Sequence, residues 1–180
     1  DFSRMSTDQL KLEKSEFEIH SLLDLVVESL EPTARQRNQT LTIEPHTKPV
    51  WVSADHGRIV QVVSNLITNS CKYSPPETRI TVRVGSNASR VSIAVSDEGI
   101  GIPEEDLTSI FLPFFRSNQL NVRNETGTGL GLAIAKTLVD LHHGKIEANS
   151  KIDKGTDITM TLPVASSTPT GNAQSQSLGH

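Results

Sequence analysis

Apolar side chains recur at intervals of three and four between Ser21 and about Arg37, at Leu22, Leu23, Val26, Val27, Leu30 and Ala34. That spacing gathers them on one face and predicts an amphipathic helix. Two short extended segments are predicted next, Thr40 to Ile43 and Val50 to Ser53, separated by a stretch containing Pro45 and Pro49. Asp55 stands at a helix N-cap position ahead of a second stripe, Ile59, Val62, Val63, Leu66 and Ile67, which Ser74-Pro75-Pro76 brings to an end. The period then shortens to two. Ile80, Val82 and Val84 alternate with Arg79, Thr81 and Arg83, and after a turn around Gly85 to Ser89 the alternation resumes at Val91, Ile93 and Val95, predicting a β-hairpin. Pro103 with Glu104 and Glu105 suits the first turn of a short helix. Ser117 to Gly129 has no period and predicts a long loop, which in a compact domain is usually functional. A helix from about Leu130 to His142, a strand near Lys145 to Asn149, a turn around Gly155 and an alternating strand through Ile158, Met160, Leu162 and Val164 complete the pattern.

This order of elements predicts an α/β fold, a two-layer sandwich of one mixed, largely antiparallel sheet against a layer of helices. At 180 residues the chain has room for one core, placed at 15–164. Residues 1–14 read as the end of a helix and a linker, and 165–180, rich in Ser, Thr, Gly, Gln and Asn, as a disordered tail or linker. A net charge of −4, from 17 basic and 21 acidic side chains, supplies no global attraction for nucleic acid or an anionic membrane. Any phosphate must be bound locally. No apolar run approaches the roughly 20 residues of a membrane span, and no secretory signal is present. The single cysteine, Cys71, sits in an apolar helical pattern and is expected to pack; its isolation suits a reducing compartment.

Three groups of residues carry candidate chemistry. Asn65, Asn69, Lys72 and Tyr73 fall on one side of the second helix, opposite its apolar stripe; alone they would read as a solvated face. Asp97-Glu98-Gly99-Ile100-Gly101-Ile102 ends the hairpin, leaving a carboxylate at the sheet edge beside backbone free to bend around a flat ligand, although a plain turn accounts for it equally well. Gly127-Thr128-Gly129-Leu130-Gly131-Leu132 places alternate glycines ahead of a helix, an arrangement that presents backbone N–H groups to phosphate oxygens, with a flexible hinge as the plainer reading. Its spacing differs from the dinucleotide-binding fingerprint and from the Walker loop.

Together with Phe111-Leu112-Pro113-Phe114-Phe115-Arg116 and Gly155-Thr156, these boxes in this order resemble the catalytic domain of sensor histidine kinases, over about Glu16 to Val164. That domain belongs to the superfamily that includes gyrase, mismatch-repair and heat-shock chaperone ATPases, and the resemblance implies the Bergerat-type ATP-binding fold. It implies ATP and Mg²⁺ as cofactors. Asp97 would accept from the adenine amino group above a turn shaped by Gly99, Gly101 and Ile102. Asn69 would be the side-chain ligand of Mg²⁺, Asn65, Lys72 and Arg116 would act in catalysis and phosphate contact, and Tyr73 would pack near the adenosine. The backbone of Gly127, Thr128, Gly129, Leu130, Gly131 and Leu132 would close the phosphate end of a lid running from about Phe115 to Thr128, and Thr156 would complete the site. Where the ATPases of the superfamily hold a water-activating glutamate this chain has Asn65, which is no general base. The resemblance therefore implies phosphoryl transfer to a protein histidine.

None of the six histidines matches the acceptor pattern of a histidine followed by an acidic residue and, shortly after, proline. The acceptor is expected on a dimerisation helix upstream, whose last turns residues 1–12 resemble. The implied partners are those helices and a response-regulator receiver domain, in a homodimeric parent whose catalytic domain is cytoplasmic whether or not the parent is membrane-anchored; the present chain would by itself be a monomer. Three other readings stay open on sequence: a nucleotide sensor without transfer, an ATPase clamp, which Asn65 disfavours, and a serine kinase that inhibits a transcription factor, which the Phe-rich segment fits less well.

Overall fold

The computed structural model describes residues 10–46, 48–119 and 125–165. Seven strands and three α-helices are found among them. A five-stranded sheet has the order β2-β4-β5-β7-β6, formed by β2 (Thr40–Ile43), β4 (Arg79–Ser86), β5 (Arg90–Asp97), β6 (Lys145–Lys151) and β7 (Gly155–Pro163). Only β2 and β4 run parallel; the other neighbours are antiparallel. The hairpin register sets Val82 opposite Val95, and Val95 in turn opposite Ile158, so one face of the sheet is continuously apolar. Arg83, Ser96 and Asp157 occupy the other face, where Asp157 accepts from both neighbours.

Helices α1 (Ile19–Gln36), α2 (His56–Tyr73) and α3 (Gly131–Leu141) lie on the apolar face. Both predicted stripes are buried: Leu22, Leu23 and Val26 of α1, and Ile59, Val62, Val63, Leu66 and Ile67 of α2, join Ile80, Val82, Ile93, Met160 and Leu162 in one core. Deleting such a side chain, as in Ile93→Ala, typically costs about 2–5 kcal/mol. Cys71 is in that core, and burial pushes its thiol pKa up, so it packs as a small apolar residue.

Asp55 caps α2 as its position predicts, Oδ1 accepting from Arg58 N at 3.1 Å. At the other end Ser74 is extended (φ −108°, ψ 138°), the conformation that a following proline enforces. The predicted hairpin, both helical stripes, the third helix and the C-terminal strand are all present, and the short helix after Pro103 is a single 3-10 turn, Glu104–Asp106.

Strand β1 (Lys14–Glu18) has no counterpart in the sequence pattern. It pairs antiparallel with β3 (Trp51–Asp55), Lys14 opposite Asp55 and Glu18 opposite Trp51. Val52 also bridges to Val164. Residues 10–13 have no regular structure. The remainder of the helix expected over 1–12, and the tail beyond 165, lie outside the described residues.

Candidate functional site

Between α2, the end of β5 and the segment leading into α3 lies a cleft of about 260 Å³. One end of it is built by three pieces of backbone that meet at Asp97. The Asp97 side chain turns back on its own loop, Oδ1 accepting from Gly99 N (2.9 Å) and from Thr156 N on β7 (3.2 Å). Burial raises the pKa of this carboxyl, outweighing the hydrogen bonds from Gly99, Ser70 and Thr156 that favour the ionised form. A carboxylate has acceptor sites beyond these, so Asp97 keeps capacity for a donor on a ligand. The loop is fastened to the end of α2 by Ile100 N donating to Tyr73 O (3.1 Å), and to the β6–β7 turn by Asp153 N donating to Ile100 O (2.9 Å) and Ile102 N to Ser150 Oγ (2.8 Å).

This crowding explains the glycines. A Cβ on Gly99 would stand 2.5 Å from Tyr73 O, and one on Gly101, whose φ is +73°, would stand 2.1 Å from Lys151 O. No other residue fits either place without moving backbone.

The opposite end of the cleft is made differently. Asn65, Asn69, Lys72 and Tyr73 all line it from α2, as their spacing predicts. Asn65 Nδ2 donates to Gly131 O (3.1 Å), tying the middle of α2 to the first residue of α3. A Cβ on Gly127 would meet Lys72 Nζ at 3.3 Å, so the ammonium already lies against the glycine-rich backbone. Gly127, Thr128, Gly129, Gly131 and Leu132 line the cleft. Leu130 does not; it is the N-cap residue of α3, and its carbonyl accepts from Ile134 N (2.9 Å). Gly99 likewise shapes the loop from behind, while Asp97, Gly101, Ile102, Arg116 and Thr156 face the cavity.

The order of these parts is what identifies the chain. Residues 54–166 match the family model of the histidine kinase-, DNA gyrase B- and HSP90-like ATPases. The chain belongs to that family.

Within the family its relatives are sensor kinases. Sensor histidine kinase WalK of Bacillus subtilis (strain 168) is 36% identical over 163 residues, a match that takes in 89% of this chain and 26% of WalK. The chain thus spans about a quarter of that relative's length. Among solved structures, the catalytic domain of histidine kinase ThkA is 30% identical with a TM-score of 0.75, covering 85% of this chain and 99% of that domain. A structure of ThkA in complex with response regulator protein TrrA matches at 27% identity and TM-score 0.75, over 91% of this chain and 45% of that one.

In this histidine kinase-type domain Phe115, Arg116, Ser117 and Gln119 line the cleft on one side of residues 120–124, and Gly127, Thr128 and Gly129 on the other. Arg116 donates to the carbonyl of Glu125, and the Glu125 carboxylate is held by Arg37 at the end of α1, with Nη2 to Oε2 at 3.1 Å. Phe114 N donates to Gly129 O (3.0 Å), closing the segment at its base. Residues 120–124 of the expected lid lie outside the described residues. The hydrophobic side chains of Leu112 and Phe114, just before it, are exposed.

Sequence reasoning missed several participants. Ser150 joins the site by accepting from Ile102 N and donating to Gly155 O, and Ser117 and Gln119 line the cleft from the lid. Gln39 and Arg37 donate to carbonyls in the last turn of α2, beside Lys72 and Tyr73. Ser117 and Gln119 fall in the predicted loop and Arg37 at the end of the predicted first helix, but nothing local in the sequence marks any of these residues individually.

Proposed function

We propose that this chain is the catalytic domain of a two-component sensor kinase, binding ATP with Mg²⁺ and passing the γ-phosphate to a histidine on a dimerisation helix of its parent protein. Adenine recognition falls to Asp97, which meets a base amino group from a sheet edge already locked in place. A hydrogen bond to an ionised group contributes about 1.5–3 kcal/mol, enough to favour adenine over guanine. Lys72 and Arg116 bring positive charge to the phosphate end, and the N-terminus of α3 adds backbone N–H groups.

The residues present fit a metal–nucleotide complex. Asn69 offers a neutral amide oxygen of the kind hard cations accept, on the same helix face as Lys72 and facing the same cavity. Bound there, Mg²⁺ would neutralise phosphate charge. The protein's own part is to orient the triphosphate, keep it under the lid and hold the γ-phosphate towards an incoming side chain.

The observation that carries the reading is the occupation of position 65. Asn65 uses its amide to hold Gly131, and the described residues place no carboxylate on that stretch of α2 to activate water. Transfer to a protein side chain fits this better than hydrolysis. Leu112 and Phe114 offer apolar surface beside the lid for the helices that carry the acceptor, and a response-regulator receiver domain is the next partner in line.

The test is to mix the chain with labelled Mg-ATP and a separate fragment bearing the histidine helix. The fragment becomes labelled, and little phosphate is released without it. Absence of transfer at saturating nucleotide overturns the proposal, as does steady phosphate release with no acceptor.

A further inference from the structure

Behind the Asp97 end of the cleft, one hydroxyl joins three segments. Ser150 of β6 is not among the residues that line the cavity, yet its Oγ accepts from Ile102 N (2.8 Å), donates to Gly155 O (2.9 Å) and lies 2.8 Å from Thr156 Oγ1. A hydroxyl owns a single proton, and a carbonyl oxygen can only accept. The Ser150 proton is therefore spent on Gly155, and the proton between Ser150 and Thr156 must come from Thr156. Two acceptances and one donation use the whole capacity of the Ser150 hydroxyl.

That fixes what Thr156 has left. Thr156 lines the cleft next to Asp97, its own N–H donating to Asp97 Oδ1 (3.2 Å), and with its hydroxyl proton turned to Ser150 it retains only lone pairs. The N–H groups around it are spent within the protein: Gly99 N on Asp97 Oδ1, Ile100 N on Tyr73 O, and Ile102 N on Ser150 itself. An ionised Asp97 accepts only. Asp97 and Thr156 thus offer acceptors, and the donors beside them are turned inwards.

We propose that Ser150 is a positioning residue that determines base specificity: by holding the Thr156 proton, it makes Asp97 and Thr156 a pair of acceptors for the two hydrogens of an exocyclic amino group, and so rejects nucleotides with a carbonyl oxygen at that place. The inference rests on the ATP-binding reading above and adds to it a second acceptor and the residue that orients it. A 6-oxopurine would bring its oxygen against two acceptors and leave them unpaired, the situation in which a hydrogen-bonding site discriminates against a close analogue. Without Ser150 the Thr156 hydroxyl is free to rotate and donate, and the rejection weakens.

Calorimetry of the chain with Mg²⁺ and either ATP or inosine triphosphate, which carries oxygen in place of the 6-amino group, tests this. The native chain is expected to prefer ATP by about tenfold or more, and Ser150→Ala to narrow that ratio by about tenfold, chiefly through tighter binding of the inosine nucleotide. Ser150→Thr, which keeps the hydroxyl, restores the preference. A purely structural role would weaken both nucleotides in proportion, so a ratio unaltered by Ser150→Ala overturns the proposal. Thr156→Val decides the matter independently, including the case in which Ser150→Ala does not fold. It leaves the bonds of Ser150 to Ile102 and Gly155 in place, and the ratio is expected to fall through loss of ATP affinity; an unaltered ratio overturns the proposal. Failure of the native chain to bind either nucleotide overturns the ATP-binding reading as well, whereas ATP binding with a ratio that no variant alters overturns this inference alone.

Discussion

The two ends of the cleft are held by different means. At the Asp97 end, strand ends and a helix end are joined by backbone hydrogen bonds, and Gly99 and Gly101 are buried under neighbouring carbonyls. At the Lys72 end, Gly127 and Gly131 are exposed and, apart from the bond of Phe114 N to Gly129 O, the contacts are made by side chains: Asn65 to Gly131, Arg116 to Glu125, Arg37 to Glu125. A bond between main chains moves only if the strands or helices move. One between a half-exposed arginine and a glutamate can open at little cost. One end of the cleft is therefore fixed and the other adjustable, which suits the proposed division between a base that is recognised and a phosphate that is passed on.

The strongest way to sharpen this contrast is Asp97→Asn. The amide oxygen still accepts from Gly99 and Thr156, so the loop survives, while the ionised partner for the base is lost. Nucleotide affinity is expected to fall by about 10- to 150-fold in calorimetry with Mg²⁺ present. Because burial raises the Asp97 pKa, the folded state holds its proton more tightly than the unfolded chain and keeping it ionised opposes folding. The thermal midpoint without nucleotide should therefore not drop. Unchanged affinity would dissolve the distinction between the two ends.

Gly101→Ala attacks the fixed end through its backbone. With a positive φ and a carbonyl in the way, it should destabilise the fold by more than about 1 kcal/mol in denaturant melts and weaken nucleotide binding along with it. Gly127→Ala, exposed and meeting only the flexible end of Lys72, should leave stability within about 0.5 kcal/mol.

Acidification probes the far end of α3, whose first residue Asn65 holds. His142 is 3% exposed, its Nδ1–H donating to Leu138 O (2.7 Å) and its Nε2 accepting from Asp55 N (2.9 Å), an arrangement that requires the neutral ring. Burial lowers its pKa below 6.5. The unfolded chain thus takes up its proton first as pH falls, so this contribution is complete above about 6.5 and is lost as pH drops below that towards the folded value. His142→Gln should flatten that part of the stability–pH curve. A small effect is also expected from Arg37→Ala: less than about 1 kcal/mol in stability, with an affinity change of a few-fold at most.

The parts legible in the sequence are those whose cause is local. Helical stripes, the alternating hairpin, the Asp55 cap and the ordered glycine boxes each announce themselves within a few residues. Strand β1 does not, because Lys14-Ser15-Glu16-Phe17-Glu18 offers one apolar side chain and becomes a strand only through pairing with β3, some forty positions away. Ser150, Gln39 and the Arg37–Glu125 pair are invisible for the same reason. Their partners are chosen by the tertiary fold, and no period records that choice.

The pairing of β1 with β3, and of Val164 with Val52, has a consequence for how such a domain can be reused. The chain enters and leaves along opposite flanks of one short strand, with Ala165 N donating to Trp51 O. Both ends of the globule thus emerge at a single pole, with the catalytic machinery intervening as one uninterrupted cassette. A globule wired in this way can be spliced between other modules, or circularly permuted by a short loop from Val164 back to Lys14, without its strands having to be rethreaded.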